Sequence, residues 1–213
     1  MTESATGLIL RTRPLTETSL IVHWLTAGAG RLATVAKGAR RHKSPFQGKL
    51  DIFYQADFSF ARSRRSELHT LREVRLLETR EAIRQNLLRL QQAAYATALV
   101  EQITETDTPL PEIYELVRGF LDGLCRAEPS PALVLAFELK ALRETGQEPD
   151  WPSTSLLPGT QKIAAALVAG DWTAGRQLKL SGPQTAELRQ FLHGFLIFHL
   201  GRLPRGRAAA LAG

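Results

Sequence analysis

Cysteine occurs once in this chain, at Cys125, and methionine only at the first position. A single cysteine excludes an internal disulfide and any multi-cysteine zinc site. Long apolar runs are also missing. Phe191 to Leu200 is interrupted by His193, Gly194 and His199 and is too short to span a bilayer. Met1-Thr2-Glu3-Ser4 has neither a basic stretch nor a long apolar one, so no signal peptide is expected and the chain reads as soluble and cytoplasmic.

Signatures of catalysis are absent as well. Gly28-Ala29-Gly30-Arg31 lacks the Gly-Lys-Ser/Thr ending of a phosphate loop and leads into a strand, so it reads as a hairpin turn. No G-x-S-x-G elbow occurs. The five histidines (His23, His42, His69, His193, His199) have no partner at H-x-x-x-H spacing and read as structural. Glu112 and Glu115 stand at a helix start, where acids suit the dipole. Cys125, beside Arg126, reads as a small buried apolar residue. The chain is therefore expected to be no enzyme and to need no metal or cofactor.

What the chain does carry is unevenly placed positive charge. Residues 1–78 hold 13 Lys and Arg against 7 Asp and Glu, whereas residues 79–213 hold 14 of each. The whole excess of +6 thus lies in the first third. A basic unit joined to a neutral one suggests a polyanion binder fused to a packing or partner-binding module.

The first part has a period of two. Leu8 and Leu10 alternate with Ile9 and Arg11, Leu20, Val22 and Trp24 share a face, and Leu32, Thr34 and Ala36 follow. Ile52, Tyr54, Ala56, Phe58 and Phe60 form the longest alternation, and Leu68, Thr70, Arg72, Val74 and Leu76 close the set. Five short strands with Gly, Pro and Ser punctuation predict a small closed barrel of OB type over residues 1–78.

At Glu78 the period changes. Ile83, Leu87, Leu90, Ala94, Ala98 and Leu99 mark one helical stripe, and Ile113 to Leu124 a second helix. Ser130-Pro131 predicts a cap and the first helical position of a third helix, apolar on several sides and so central. Gly146 to Gly159 reads as a loop, a short helix follows around Ile163 to Val168, and Ser181-Gly182-Pro183 opens the last helix. The fold class is α+β: a barrel, then a helical bundle over residues 79–213. No internal repeat or low-complexity segment occurs.

The basic set centres on Lys37-Gly38-Ala39-Arg40-Arg41-His42-Lys43-Ser44, which places four cations in seven positions with no acid. Lys49, Arg62, Arg64 and Arg65 add to it, against only Asp51 and Asp57 between Lys37 and Arg65, and Arg11 and Arg13 share a face of the first strand. Such a set suits phosphate contact, with arginine adding fork-like geometry. Tyr54, Phe58 and Phe60 read first as barrel core, and Phe46, in the loop, is the better candidate for stacking on a base.

Lys37-Gly38-Ala39-Arg40-Arg41-x-Lys43-Ser44, after the opening Gly7-Leu8-Ile9-Leu10, resembles the recombination protein O family of bacterial DNA repair proteins. Phe137-Glu138-Leu139-Lys140 resembles the family's central helix, and His199-Leu200-Gly201-Arg202 its end. The resemblance implies a non-enzymatic protein that binds single- and double-stranded DNA and anneals complementary strands. It also implies work with recombination protein R in loading the recombinase, and a helical domain on which the acidic, apolar C-terminal tail of single-strand-binding protein docks. Lys140 and Arg143 are the partner-binding candidates on that analogy. Many relatives carry a four-cysteine zinc site after the central helix. Glu148 to Gly182 has no cysteine, so no zinc is expected. Pro204 and Gly206 depart from the family's plainly basic, helical tail. Two other readings stay open from the residues alone: a protein-interaction adaptor whose charge serves solubility, and an RNA-binding barrel.

Overall fold

The computed structural model describes residues 2–172 and 180–212. It contains two compact units: Met1–Arg80 with Thr104–Glu115, and Glu81–Ile103 with Leu116–Gly213.

The first unit is a closed five-stranded barrel, as the alternation predicts. Strands β1 (Thr2–Pro14), β2 (Leu20–Thr26), β3 (Gly30–Ala36), β4 (Gln55–Ala61) and β5 (Leu68–Glu78) are ordered β1-β2-β3-β5-β4 around it. Four neighbour pairs are antiparallel, and β3 and β5 run parallel. Closure leaves no free edge on which another chain could add a strand. The core holds Ile9, Val22, Trp24, Leu32, Ala36, Ala56, Phe58, Phe60, Leu71 and Val74. Trp24 stacks on Phe58 at 4.0 Å and donates its indole N–H to Thr34 Oγ1 at 2.9 Å, so its one polar atom is satisfied. Gly30 turns the chain with φ +64°, and a Cβ there would fall 1.9 Å from the carbonyl oxygen of Thr108. Segment 104–115 therefore lies along this end of β3, where Asp107 N–H also donates to Arg31 O at 2.9 Å.

The alternation fails in β5. Phe60 pairs with Leu71 and Ser59 with Glu73, so Arg72 is an extra residue in a bulge. The bulge shifts the phase: His69, Leu71 and Val74 are buried, and Arg72, read in sequence beside Val74, is exposed. Further register shifts fall at Leu77 in β5, between the pairs Gln55–Glu78 and Ala56–Leu76, and at Leu10 in β1, between Ile9–Trp24 and Arg11–His23.

The second unit is helical: α1 (Leu87–Ile103), α2 (Pro111–Arg126, which begins among the residues of the first unit), α3 (Pro131–Glu144), α4 (Pro158–Ala169), α5 (Gly182–Leu200) and α6 (Arg207–Ala210). Short 3-10 turns occupy Glu81–Ile83 and Trp151–Ser153. Helix α3 is the centre, with every residue from Leu133 to Leu142 buried, including Glu138 and Lys140. It packs against α1, α4 and α5. Ser130 stands at its N-cap but its side chain makes no capping bond, contrary to the sequence expectation, and Pro131 sets the start instead. Ser181 does form a capping box with Gln184.

The stripe expected on α1 is displaced. Leu87 and Ala94 are exposed, whereas Gln92, Ala93, Tyr95, Ala96 and Leu99 are buried. Apolar residues all round this helix left the phase undetermined, and polar contacts fix it. Gln92 donates to Ser130 O at 3.1 Å and Ala210 O at 3.0 Å, and Tyr95 donates to Glu138 Oε1 at 2.5 Å. Arg207, from α6, closes on the same Glu138 through two bonds of 2.6 and 2.9 Å. Burial drives the Arg207 pKa down, but its hydrogen bonds to Glu138 outweigh this and hold it above the ordinary arginine value. Among the described residues no helix is long and apolar enough to cross a membrane.

Candidate nucleic-acid interface

The connection between β3 and β4, residues 37–54, carries the basic loop. It is a chain of turns. Arg41 N–H donates to Gly38 O at 3.0 Å, Ser44 to Arg41 O at 3.1 Å, Gln47 to Ser44 O at 3.1 Å and Lys49 to Phe46 O at 3.1 Å. Gly38 has φ +69°, a conformation open to glycine at little cost. Arg40 N–H bonds to Thr18 O at 2.9 Å, which ties the loop to the β1–β2 connection. Phe46 fastens it below. Its ring is 6% exposed and belongs to the barrel core, with Ala39 and Leu50 packed alongside. The expectation that Phe46 offers a stacking surface is thus corrected: the loop needs an apolar anchor, and Phe46 supplies it.

This fastening turns the cations outward. Lys37, Arg40, Arg41 and Lys43 are all exposed and make no ion pair among the described residues. Solvated cations on a backbone already fixed by hydrogen bonds suit a phosphate chain, which needs charge without base contacts.

Beside the loop lies a groove of about 810 Å³. Its walls come from β1 (Ser4, Thr6), β4 (Asp57, Ser59), β5 (Arg72, Arg75) and the loop's Pro45, Phe46 and Lys49. Thr6 pairs across to Asp57 and Asp57 to Arg75, so one polar row crosses three strands. Asp57 accepts from Thr6 Oγ1 at 2.6 Å and is ion-paired with Arg75; the two bonds, Thr6 first, hold its carboxyl below the usual range. Arg72 joins the site only through the β5 bulge, so alternation in the sequence could not find it. Lys49, which the sequence placed in the basic set, sits at the same groove.

Of the other arginines of the basic set, those of the Arg62 loop lie elsewhere, whereas Arg13 stands in register with Ile21 and Val35 at the Ala36 end of β3. Arg62 bonds Glu3 and Asp107, each at 2.9 Å, and lies 5.6 Å over the Phe60 ring. Its bond to Glu3 lowers that carboxyl below its ordinary value. Asp107 ties this loop to the Gly30–Arg31 end of β3, whereas the basic loop leaves from Ala36. At about 3.3 Å per residue the two ends of β3 are roughly 20 Å apart. Arg64 and Arg65 are exposed in the Arg62 loop, and Arg13 is exposed near the end of β1. Arg11 pairs opposite His23, whose imidazole is driven down to about 4 by burial first and then by Arg11, Arg13 and Arg31. His23 is therefore neutral near pH 7 and adds no charge there.

In the helical unit Lys140 and Arg143 serve a helix end. Lys140 Nζ donates to Val168 O at 2.7 Å and Gly170 O at 2.5 Å, and Arg143 donates to Val168 O at 2.8 Å. These carbonyls close α4, where orphan acceptors and the dipole both favour cations. Burial, then the neighbouring Arg143, lowers the Lys140 pKa. Among the described residues no group of three or more His, Cys, Asp or Glu could hold a metal ion. Part of the stretch considered for zinc, residues 173–179, lies outside the described residues.

Comparison with known proteins bears on this arrangement. The family described as "Recombination protein O N terminal" matches residues 1–80, and "Recombination protein O C terminal" matches residues 84–156. A protein named DNA repair protein RecO from Anaeromyxobacter sp. (strain K) is 29% identical, over 92% of this chain and 91% of that protein. Proteins of the same name from Syntrophus aciditrophicus (strain SB) and Myxococcus xanthus (strain DK1622) are 30% and 32% identical, over 70% and 72% of this chain and 57% and 62% of theirs. With a basic barrel, a helical unit and both family halves matched in order, the chain belongs to the recombination protein O family of DNA repair proteins.

Proposed function

We propose that this chain is a non-enzymatic DNA-binding protein of recombinational repair. It holds single- and double-stranded DNA without sequence preference, and the loop Lys37–Lys43 is its main grip. The single observation that carries this reading is the set of four exposed cations, without an ion pair among the described residues, on a loop anchored by Phe46. The proposal includes strand annealing, cooperation with recombination protein R and docking of the tail of single-strand-binding protein, and membership of the family supports it. The tail of single-strand-binding protein is the partner proposed for the helical unit, where Lys140 and Arg143 contribute by holding the end of α4.

The test is fluorescence anisotropy of a labelled single-stranded oligonucleotide with the wild type and with Arg40→Glu/Arg41→Glu, at two salt concentrations. With six to ten phosphate contacts, wild-type affinity should fall by roughly a thousandfold or more between 50 and 200 mM salt. The double reversal is expected to weaken binding about a hundredfold at low salt, because two cations leave the phosphate chain and two anions repel it. Binding that ignores salt would sink the mechanism, and unchanged binding by the variant would move the grip elsewhere. No binding by the wild type would favour the adaptor reading.

A further inference from the structure

We propose that a bound single strand, gripped at Lys37–Lys43, continues through the groove on the outer side of β1, β4 and β5, with Lys49 and Arg72 as its next phosphate contacts. This rests on the DNA-binding reading and gives the strand a path. Five-stranded barrels of OB type ordinarily use the outer face of strands 2 and 3. Here the β2 part of that face is closed at Ile21 and Leu25, while His23 on β2 and Ala33 and Val35 on β3 are half-buried. Val22 and Trp24 turn into the barrel, so Ile21 and Leu25 turn out, yet they are only 4% and 0% exposed. Leu8 and Leu10 on the neighbouring strand are equally buried. Solvent does not reach these side chains, and neither does a polynucleotide. Segment 104–115 of the same unit also occupies the Gly30–Arg31 end of β3, where Arg31 donates to Thr104 Oγ1 at 2.8 Å.

The β1–β4–β5 side is open and continuous with the grip. Pro45 and Phe46, two and three residues after Lys43, line the groove, so it begins beside the loop. Ser4, Thr6 and Ser59 present hydroxyls, and Lys49 and Arg72 present charges that no ion pair among the described residues consumes. Two carboxylates line the groove. Asp57 is already held by Thr6 and Arg75, which leaves Glu73 as the one without a described cation. The aromatic residues on the floor, Phe46 and Phe58, are buried in the core and offer no open ring face. The contacts are therefore to phosphate and sugar, which hold a strand without reading its sequence.

Two measurements on the full chain test this path. First, anisotropy titrations of labelled oligothymidylate across a salt series compare the wild type with Lys49→Ala/Arg72→Ala. Removing two phosphate-binding cations should weaken binding about tenfold and flatten the log–log salt slope by about 1.4, at roughly 0.7 per cation on a single strand. Second, the photo-crosslinker p-benzoylphenylalanine is placed at Ser59, in the groove, or at Ala33, on the outer side of β3. This leaves Lys49 and Arg72 intact and does not depend on how the double variant folds. Crosslinking to DNA from position 59 and not from 33 is the expected result. Crosslinking from 33 alone, or a double variant that binds as the wild type does, overturns the path. If Arg40→Glu/Arg41→Glu still abolishes binding in that case, the loop grip stands without it. Failure of the wild type to bind removes both readings.

Discussion

Replacing Arg207 with alanine should destabilise the helical unit by about 3–5 kcal/mol, because it leaves a buried carboxylate without its counter-charge. Glu138 is 0% exposed on the central helix α3, and Arg207, 6% exposed, is its cationic partner. Tyr95 donates to the same carboxylate, and its hydroxyl is pushed above the ordinary tyrosine pKa, by burial first and by Glu138 second. Removing the cation alone strands the anion. Removing both charges does not: Glu138→Leu with Arg207→Met and Tyr95→Phe should come within about 1–2 kcal/mol of the wild type, as buried pairs often break even with apolar residues of similar volume. Urea unfolding followed by circular dichroism measures both. A triple variant as unstable as Arg207→Ala would show that packing, and not the stranded charge, is responsible.

The second large effect is expected at Phe46. Truncation to alanine removes a ring from the barrel core and should cost about 3–5 kcal/mol. The same ring fixes the basic loop, so DNA affinity should fall with it. Phe46→Leu separates anchoring from stacking. Leucine fills much of the space and should keep affinity within about twofold, whereas loss of a base-stacking ring costs about 1–3 kcal/mol of binding per base. Melting curves and anisotropy on the two variants decide the point: strong loss of affinity in Phe46→Leu with stability retained would return Phe46 to the stacking role.

The contrast between these residues shows what the sequence could convey. Alternation in Val22, Trp24, Leu32, Phe58 and Phe60 was enough for the barrel, because a pleated strand with one buried face writes its period into the chain. Arg72 escaped because a bulge adds a residue without changing composition. Phe46 was misread because an anchor for a loop and a platform for a base have the same local signature, an aromatic among cations. The spread of the basic set was also illegible. Arg62 looks like Arg40 in sequence, and only the fold gives it Glu3 and Asp107 as partners. On α1, apolar residues on every side left the phase open until Gln92 and Tyr95 found Ser130, Ala210 and Glu138.

The parallel pairing of β3 with β5 rests on three residue pairs, Ala33–Leu68, Thr34–His69 and Val35–Thr70. Every other neighbour pair is antiparallel and has seven. By connectivity the barrel divides into two pieces with local pairing, the β1–β2–β3 meander and the β4–β5 hairpin, joined through β1–β4 and β3–β5. Joining them closes the connection 37–54, an entropic cost of about 2–3 kcal/mol for a chain of that length. This is a slow, non-local step. Docking Phe46 shortens the free part of that connection while the pieces search for each other. The segment proposed to grip DNA is then also the one whose closure joins the two pieces, so changing its length or its Phe46 anchor should alter refolding rate as well as affinity.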